Sequence, residues 1–548
     1  MKKNSFIEGT IIATLAIVFV KILGMLYVIP FYSIVGSSGG ALYSYAYNIY
    51  LIFLGISSAG LPNAISKIIS EYNTLGYEDA KNRAYSIALK IITVISVVAF
   101  LVLFILAEEI GVFIIGDLSG GNTPENVTFV IRCVSPAVLI IPFLSITKGY
   151  LQGHKFVSPS SISQLIEQIV RILVILVGSY LVLKVFNGTL SLAIGIAVAG
   201  AFVGGACAYL YLRYIMRKHK EEFSLGKNAK KDKITNKEIA LKIVSYAIPF
   251  IIINIVTNIY TFTDQILVLR TLENMHYTAE EVEFVASAIS TWAPKICMII
   301  NAMAMGMTVS LIPTIVSAYT KKDKKEVTDK INKSISMVIY ISLPLVLGLS
   351  ILSTPVWHIF YGNSNYGSMI LSLAVFSALL ANVYMIISTI CQSLNKIKLV
   401  YLVSITGFLL NALLDVPIMY LFEYLHIEAF LGSIVASIIG FSSSILIGLI
   451  SLHKKEGIKY KETFNILSKT LIPAITMVVV LVIFNYLVPI DSTTIAKSLL
   501  KIIINAIIGG TIYIGLSYKL HILDDLFGKE MLNKIIKKLT LGKLGKEN

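Results

Sequence analysis

Uninterrupted apolar runs of about twenty residues recur along the whole chain, and they limit the fold more than any motif does. An α-helix needs about 20 apolar residues to cross the hydrocarbon core of a bilayer, and only helices and closed barrels satisfy their backbone groups there. Fourteen such runs are read at 9–35, 41–69, 84–107, 128–151, 161–184, 190–214, 242–269, 286–318, 332–354, 368–392, 398–421, 429–452, 466–488 and 497–518. Composition agrees: 56% of the 548 residues are hydrophobic, 14% are charged, and the mean hydropathy is +0.81. A soluble chain carries about 25% charged residues. The expected fold class is all-α, a polytopic membrane protein of fourteen transmembrane helices.

Charge alternates between the loops. Loops after even-numbered runs hold Lys81 and Arg83, Lys155, Arg217 to Lys237, Lys321 to Lys325, Lys396 with Lys398, and Lys454 to Lys461. The opposite side is acidic, with Glu108, Glu109, Glu280, Glu281, Glu423 and Glu428 among others. By the positive-inside rule, both termini are expected in the cytoplasm. Topology also accounts for the net charge of +15, so no nucleic-acid partner is implied. The apolar stretch after "MKKNSF" is too long for a signal-peptide core and is read as an uncleaved first helix. The four cysteines fall in apolar runs without C-x-x-C spacing, which indicates neither a metal site nor disulfides.

The chain echoes itself at an offset of 240–250 residues. "ISKIISEYNTLGYEDAKN" pairs with "IPTIVSAYTKKDKKEVTDKIN", and "GYLQGHK" with "TICQSLNK". Each copy holds six runs, an even number, so the copies share one orientation about a pseudo-two-fold axis along the membrane normal. The expected organisation is an N-terminal lobe (1–214), a basic cytoplasmic linker (215–241), a C-terminal lobe (242–452), two extra helices (453–518) and a tail (519–548). In the tail, Leu523, Leu526, Phe527, Met531, Leu532, Ile535 and Ile536 recur at helical spacing among lysines. That pattern reads as an amphipathic helix on anionic inner-leaflet lipids, or as a solvated basic tail.

Polar groups inside the runs mark the candidate sites. Lys21 lies ~24 Å along its helix from Ser5 and ~22 Å from Gly36, too deep to snorkel easily. It shares a face with Thr10, Thr14 and Tyr32, which suggests a cavity. Glu167 and Arg171 stand at i, i+4 beside Gln164 and Gln168, as a structural ion pair or a conformational one. The 244-residue offset carries Glu167 onto Asn411 and Arg171 onto Asp415. Asn254, Asn258, Thr261 and Gln265 line one stripe with Asp264 beside it. Carboxylate and amide oxygens suit a hard cation such as Na⁺, a protonatable carboxylate suits H⁺, and a plain hydrogen-bond network needs neither. Lys295 lies within the eighth run after Pro294. Met298, Met303, Met305 and Met307 around it are core packing or an adaptable apolar surface. No H-E-x-x-H, G-x-S-x-G or Walker A motif is present, so a transporter is expected rather than an enzyme or an ATP-driven pump.

In "VKILGMLYVIPFYSIVG", "GLPNAISKIISEYNTLG", "LQGHKFVSPSSISQLIEQIVRI" and "NIYTFTDQ", the chain resembles the multidrug/oligosaccharidyl-lipid/polysaccharide exporter superfamily. It is most similar there to the MurJ-type and stage-V-sporulation-protein-B-like branch. The resemblance implies a flippase of the bacterial cell membrane that moves an undecaprenyl-diphosphate-linked saccharide outward by alternating access. Lipid II, the peptidoglycan precursor, is the implied cargo. Capsule, teichoic-acid or spore-cortex units, or a drug carried by cation exchange, are the alternatives. It also implies that Lys21 and Lys295 meet the headgroup, with Thr14 joining them from the face it shares with Lys21. Asn411 and Asp415 match the N-x-x-x-D pair of a Na⁺ site. No tightly held cofactor is implied. The further cations that MurJ-type proteins carry in the first two helices are missing here.

Overall fold

The computed structural model describes residues 6–58, 60–219, 234–301, 315–316, 318–319 and 321–528; the side chains of 6–15, 63, 249, 250 and 253 fall outside the description. Every described element is helical. The chain runs through α1 (Phe6–Leu26), α2 (Val28–Ser58), α3 (Leu61–Leu75), α4 (Glu78–Ile105), α5 (Ala107–Ile115), α6 (Pro124–Val134) and α7 (Pro136–Gly153). Next come α8 (Val157–Tyr180), α9 (Leu190–Lys218) and α10 (Asn236–Asn274). Then α11 (Ala279–Asn301) contains a π-helical turn, Ala288–Trp292. It is followed by α12 (Lys324–Ile351), α13 (Ser353–Tyr361), α14 (Asn365–Ser393), α15 (Ile397–Tyr424) and α16 (Leu431–Glu456). The series ends with α17 (Lys461–Leu487), α18 (Ile495–Lys519) and α19 (Ile522–Phe527).

Among the described residues, eleven helices are long and apolar enough to cross a membrane, or twelve if the bent α1–α2 pair counts as one span. The expected all-α membrane fold stands, while the described residues do not confirm the count of fourteen. The first two runs do not divide as expected. They share α1, α2 and α3, with breaks at Tyr27, Gly36 and Gly60. Pro30 lacks the N–H that would bond the Leu26 carbonyl, and the chain bends by 40° between α1 and α2. Gly36 has φ 70° and ψ −171°, a region closed to side chains with a Cβ. In the eighth run the helix is described through Asn301, and Met303, Met305 and Met307 lie outside the described residues.

The chain forms two compact units. Unit one is Met1–Met298 with Asn411–Ser433, and unit two is Ile299–Leu410 with Ile434–Asn548. In unit one, Ile65, Ile68, Tyr72, Ile92, Ile146, Tyr150 and Ile243 form a core joining α3, α4, α7 and α10. Helix α9 presses on α8 through Gly200 and Gly204. A Cβ at Gly204 would meet the Glu167 carbonyl at 2.5 Å. Small residues four apart let helix backbones approach where lipid offers no hydrophobic drive.

In unit two, Tyr340, Met477, Leu481, Tyr513, Ile522 and Leu526 share a core. The Tyr513 hydroxyl donates to the Tyr340 carbonyl at 2.7 Å. The described start of the tail packs here: Leu526 is fully buried, and Lys469 pairs with Asp525 at 2.9 Å. Met531, Leu532, Ile535 and Ile536 lie outside the described residues. Large apolar side chains stand exposed along α4 and α18, with Val94, Ile105 and Ile507 each above 60%, as a lipid-facing surface requires.

Candidate functional site

The candidate site lies inside unit one. The Pro30 bend leaves Tyr27 in the turn between α1 and α2, and its phenol oxygen accepts a hydrogen bond from Lys295 Nζ at 2.9 Å. Three rings surround that ammonium: Tyr47 at 5.0 Å, Tyr27 at 5.1 Å and Tyr43 at 5.8 Å from ring centroid to nitrogen. Tyr43, Tyr47 and Tyr50 follow at i, i+4 and i+7 on α2, so their rings form one row. Tyr43 stacks on Trp292 at 5.9 Å. Lys295 is only 8% exposed and, among the described residues, has no carboxylate within ion-pair distance. Among the described residues, cation–π attraction and one hydrogen bond therefore hold this ammonium without a counter-ion.

Beside the cage, Ser44, Asn48, Gln265 and Thr291 form a buried network. Ser44 and Thr291 hydroxyls lie 2.7 Å apart, Gln265 Nε2 donates to Ser44 at 2.8 Å, and Asn48 Nδ2 donates to Gln265 Oε1 at 3.0 Å. It ties α2, α10 and the π-helical turn of α11 together, and it fixes the segment that presents Lys295.

Lys21 is half-buried on α1 and makes no hydrogen bond or ion pair among the described residues. One turn along, Gly24 faces Gln168 of α8, whose Nε2 would stand 3.3 Å from an added Cβ. Thr14 belongs to α1, but its side chain lies outside the described residues.

The Glu167–Arg171 pair forms as spaced, at 2.8 Å, but Glu167 also accepts from Lys148 Nζ of α7 at 3.0 Å. Sequence reading passed over Lys148, which stands in the "TKGYLQG" exit of the fourth run. Asn48 and the tyrosine row were also missed, although the i, i+4, i+7 tyrosines of "YSYAYNIY" are visible in the sequence.

The structure gathers part of the expected cation set. Asn411 of α15 donates its amide to Asp264 of α10. Asn411 and Asp415 are fully buried, and Asp264 is 6% exposed. Both Asp415 carboxylate oxygens and the Asn411 carbonyl oxygen are buried without a hydrogen bond among the described residues. The Ser433 hydroxyl lies near Asp415 but does not close a hydrogen bond. Asn258 is placed elsewhere: its amide donates to the Leu51 carbonyl at 3.0 Å, about 9 Å along α10 from Asp264. Asn254 is exposed a further turn away. The donors at Asp415 are oxygens only, and no cluster of three or more His, Cys, Asp or Glu occurs among the described residues. This chemistry fits a hard monovalent cation or a proton, not a transition metal.

The model of the family described as "Polysaccharide biosynthesis protein" matches residues 6–319, more than half of the chain. The chain belongs to this family. Residues 249–416 of this family member also match the MatE model, in keeping with the exporter superfamily and a MurJ-like resemblance. It is 29% identical to the lipid II flippase MurJ of Bacillus subtilis (strain 168) over 539 residues, covering 96% of this chain and 98% of that protein. It is 22% identical over 381 residues to stage V sporulation protein B of the same strain, covering 69% and 70%. In fold, it matches a structure of lipid II flippase MurJ in an inward closed conformation, with a TM-score of 0.61 and 19% identity, covering 93% of this chain and 99% of that one. An inward-facing multidrug-resistance MATE transporter matches at a TM-score of 0.63 and 15% identity, covering 80% and 98%.

Proposed function

We propose that this chain is a bacterial plasma-membrane flippase that moves an undecaprenyl-diphosphate-linked saccharide, lipid II first among them, from the inner to the outer leaflet by alternating access. The carrying observation is Lys295, an ammonium 8% exposed and held among three tyrosine rings with no acid beside it among the described residues. A charge in the middle of a membrane helix costs about 2.5–3.5 kcal/mol on insertion scales and marks a ligand path. An anionic headgroup is the counter-ion such a charge calls for. Lys21, also without an ionic partner among the described residues, and Thr14 would widen the same headgroup path. The 29% identity to a lipid II flippase over almost the full length of both chains supports this reading.

In unit two, a cavity of about 400 Å³ lined by Tyr340, Pro344, Gly348, Met477, Leu481 and Gly509 suits a hydrocarbon chain. The transport lobes would be 1–214 and 242–452, and the lysine-rich loops and both termini would face the cytoplasm. The basic tail would rest on anionic inner-leaflet lipids. The protein would transport rather than catalyse.

Asp415, Asn411 and Asp264 would hold the coupling cation, Na⁺ or H⁺. Such an ion drives the cycle only by binding one conformation more tightly than the other. Asp415 would supply two carboxylate oxygens that have no hydrogen bond among the described residues, while Asp264 holds Asn411 through its amide and would leave the Asn411 carbonyl oxygen to the cation.

The test is rescue of a bacterium depleted of its own lipid II flippase. Wild-type chain should restore growth, and Lys295→Ala and Lys21→Ala should not, at equal membrane levels. A wild type that inserts but fails to rescue overturns the lipid II assignment.

A further inference from the structure

A second cationic centre in unit one stands beside the same tyrosine row. One carboxylate, Glu167, serves two cations there, Lys148 at 3.0 Å and Arg171 at 2.8 Å. These side chains are 17%, 12% and 20% exposed respectively, so a largely buried cluster carries one unbalanced positive charge. Two donors in it are unspent. Arg171 Nε and the Tyr50 hydroxyl are both buried without a hydrogen-bond partner among the described residues. Arg171 lies within electrostatic reach of Tyr50, Tyr47 and Tyr43, and Lys295 sits over Tyr43 and Tyr47. Both centres thus lie within electrostatic reach of one row.

A desolvated donor with no acceptor is costly, about 1–3 kcal/mol and more for a charged group, and proteins keep such groups where a ligand completes them. A guanidinium with a free Nε–H matches a phosphoryl group in a bidentate fork, as a carboxylate does. Helix α9 holds the backbone of this segment, since Gly204 packs directly on the Glu167 carbonyl. The side chains, not the helix, must therefore rearrange.

We propose that Arg171, Lys148 and Tyr50 form a second anion-binding centre that takes one phosphoryl group of a diphosphate headgroup, with Glu167 as the internal stand-in that this phosphate displaces. The inference rests on the flippase reading and deepens it. Lys295 receives one phosphoryl group, and the Arg171 centre makes the protein prefer a polyprenyl diphosphate over a monophosphate.

The experiment uses the full chain in phosphatidylcholine nanodiscs, titrated with undecaprenyl diphosphate and with undecaprenyl monophosphate, binding being read by native mass spectrometry. Wild type should prefer the diphosphate at least tenfold. Arg171→Gln and Tyr50→Phe should bring that ratio to about one, and Arg171→Lys should restore part of it. Lys295→Gln should weaken both lipids. Glu167→Gln is the decisive arm: removing the internal competitor should tighten diphosphate binding several-fold. Weakening by Glu167→Gln in step with Arg171→Gln would show a merely structural ion pair and overturn the proposal. Tyr50→Phe deletes a hydroxyl that bonds nothing among the described residues, so it tests the site without threatening the fold. If wild type binds both lipids and the variants keep the preference, this inference alone fails. If wild type binds neither, the flippase reading fails with it.

Discussion

Asn411 donates its side-chain amide to Asp264 across 147 residues of sequence, and Asp415, one turn further along α15, keeps both carboxylate oxygens free of hydrogen bonds among the described residues. On the proposed reading, the first residue would orient the site and the second would bind the cation. Sodium should therefore raise the unfolding temperature of the purified protein over potassium at equal ionic strength. A ligand at a hundred times its Kd stabilises by about 2.7 kcal/mol. Asp415→Asn should abolish the difference, and Asp264→Asn should reduce it by loosening Asn411. Differential scanning fluorimetry in NaCl and KCl checks this; an equal response in both salts for wild type, with a response to pH instead, assigns the site to a proton.

The Lys295 cage has separable parts. Tyr27→Phe removes the hydrogen bond of a charged donor, worth about 1.5–3 kcal/mol, and keeps the ring. Tyr27→Leu also removes the ring that stands 5.1 Å from the ammonium. Thermal unfolding should rank wild type above Tyr27→Phe and Tyr27→Phe above Tyr27→Leu. Equal losses would mean the ring contributes nothing.

Gly204 tests the α8–α9 contact. A leucine there must displace the Glu167 carbonyl, which would stand 2.5 Å from its Cβ, and overpacking of this kind costs about 1–3 kcal/mol. Gly200→Ala meets its nearest atom at 3.1 Å and should cost less. Folded yield after size-exclusion chromatography would show the order.

Glu428, in the loop between α15 and α16, has its carboxyl held above the ordinary glutamate range, first by burial and then by the like charges of Glu423 and Glu281. A raised carboxyl stabilises the fold fully below its unfolded value of about 4.5, and that contribution is lost as pH rises through the folded value. At pH 7.5, Glu428→Gln should therefore be slightly more stable than wild type, by under about 0.5 kcal/mol given its exposure to solvent. The gain should vanish at pH 4, as paired melting curves at the two values would reveal.

Much of the protein was legible from composition and spacing alone. Membrane helices declare themselves because a lipid-facing segment must be apolar all along, whatever its neighbours are. The i, i+4 geometry of Glu167 with Arg171, and of Asn411 with Asp415, is likewise a local property of one helix. Isolated charges in those runs marked Lys21 and Lys295 as residues that a bilayer would reject without a reason.

The tertiary structure decided what those groups meet. Lys148 reaches Glu167 from another helix. Tyr27 reaches Lys295 across 268 residues of sequence, because Pro30 bends the chain where a straight helix was expected. Asp264 was chosen over Asn254 and Asn258 as the partner of Asn411. Periodicity places a side chain on a face of its own helix, but the partner across the gap depends on how two helices cross. Their crossing is set by breaks such as Gly36 and close approaches such as Gly204, whose effects no local pattern carries.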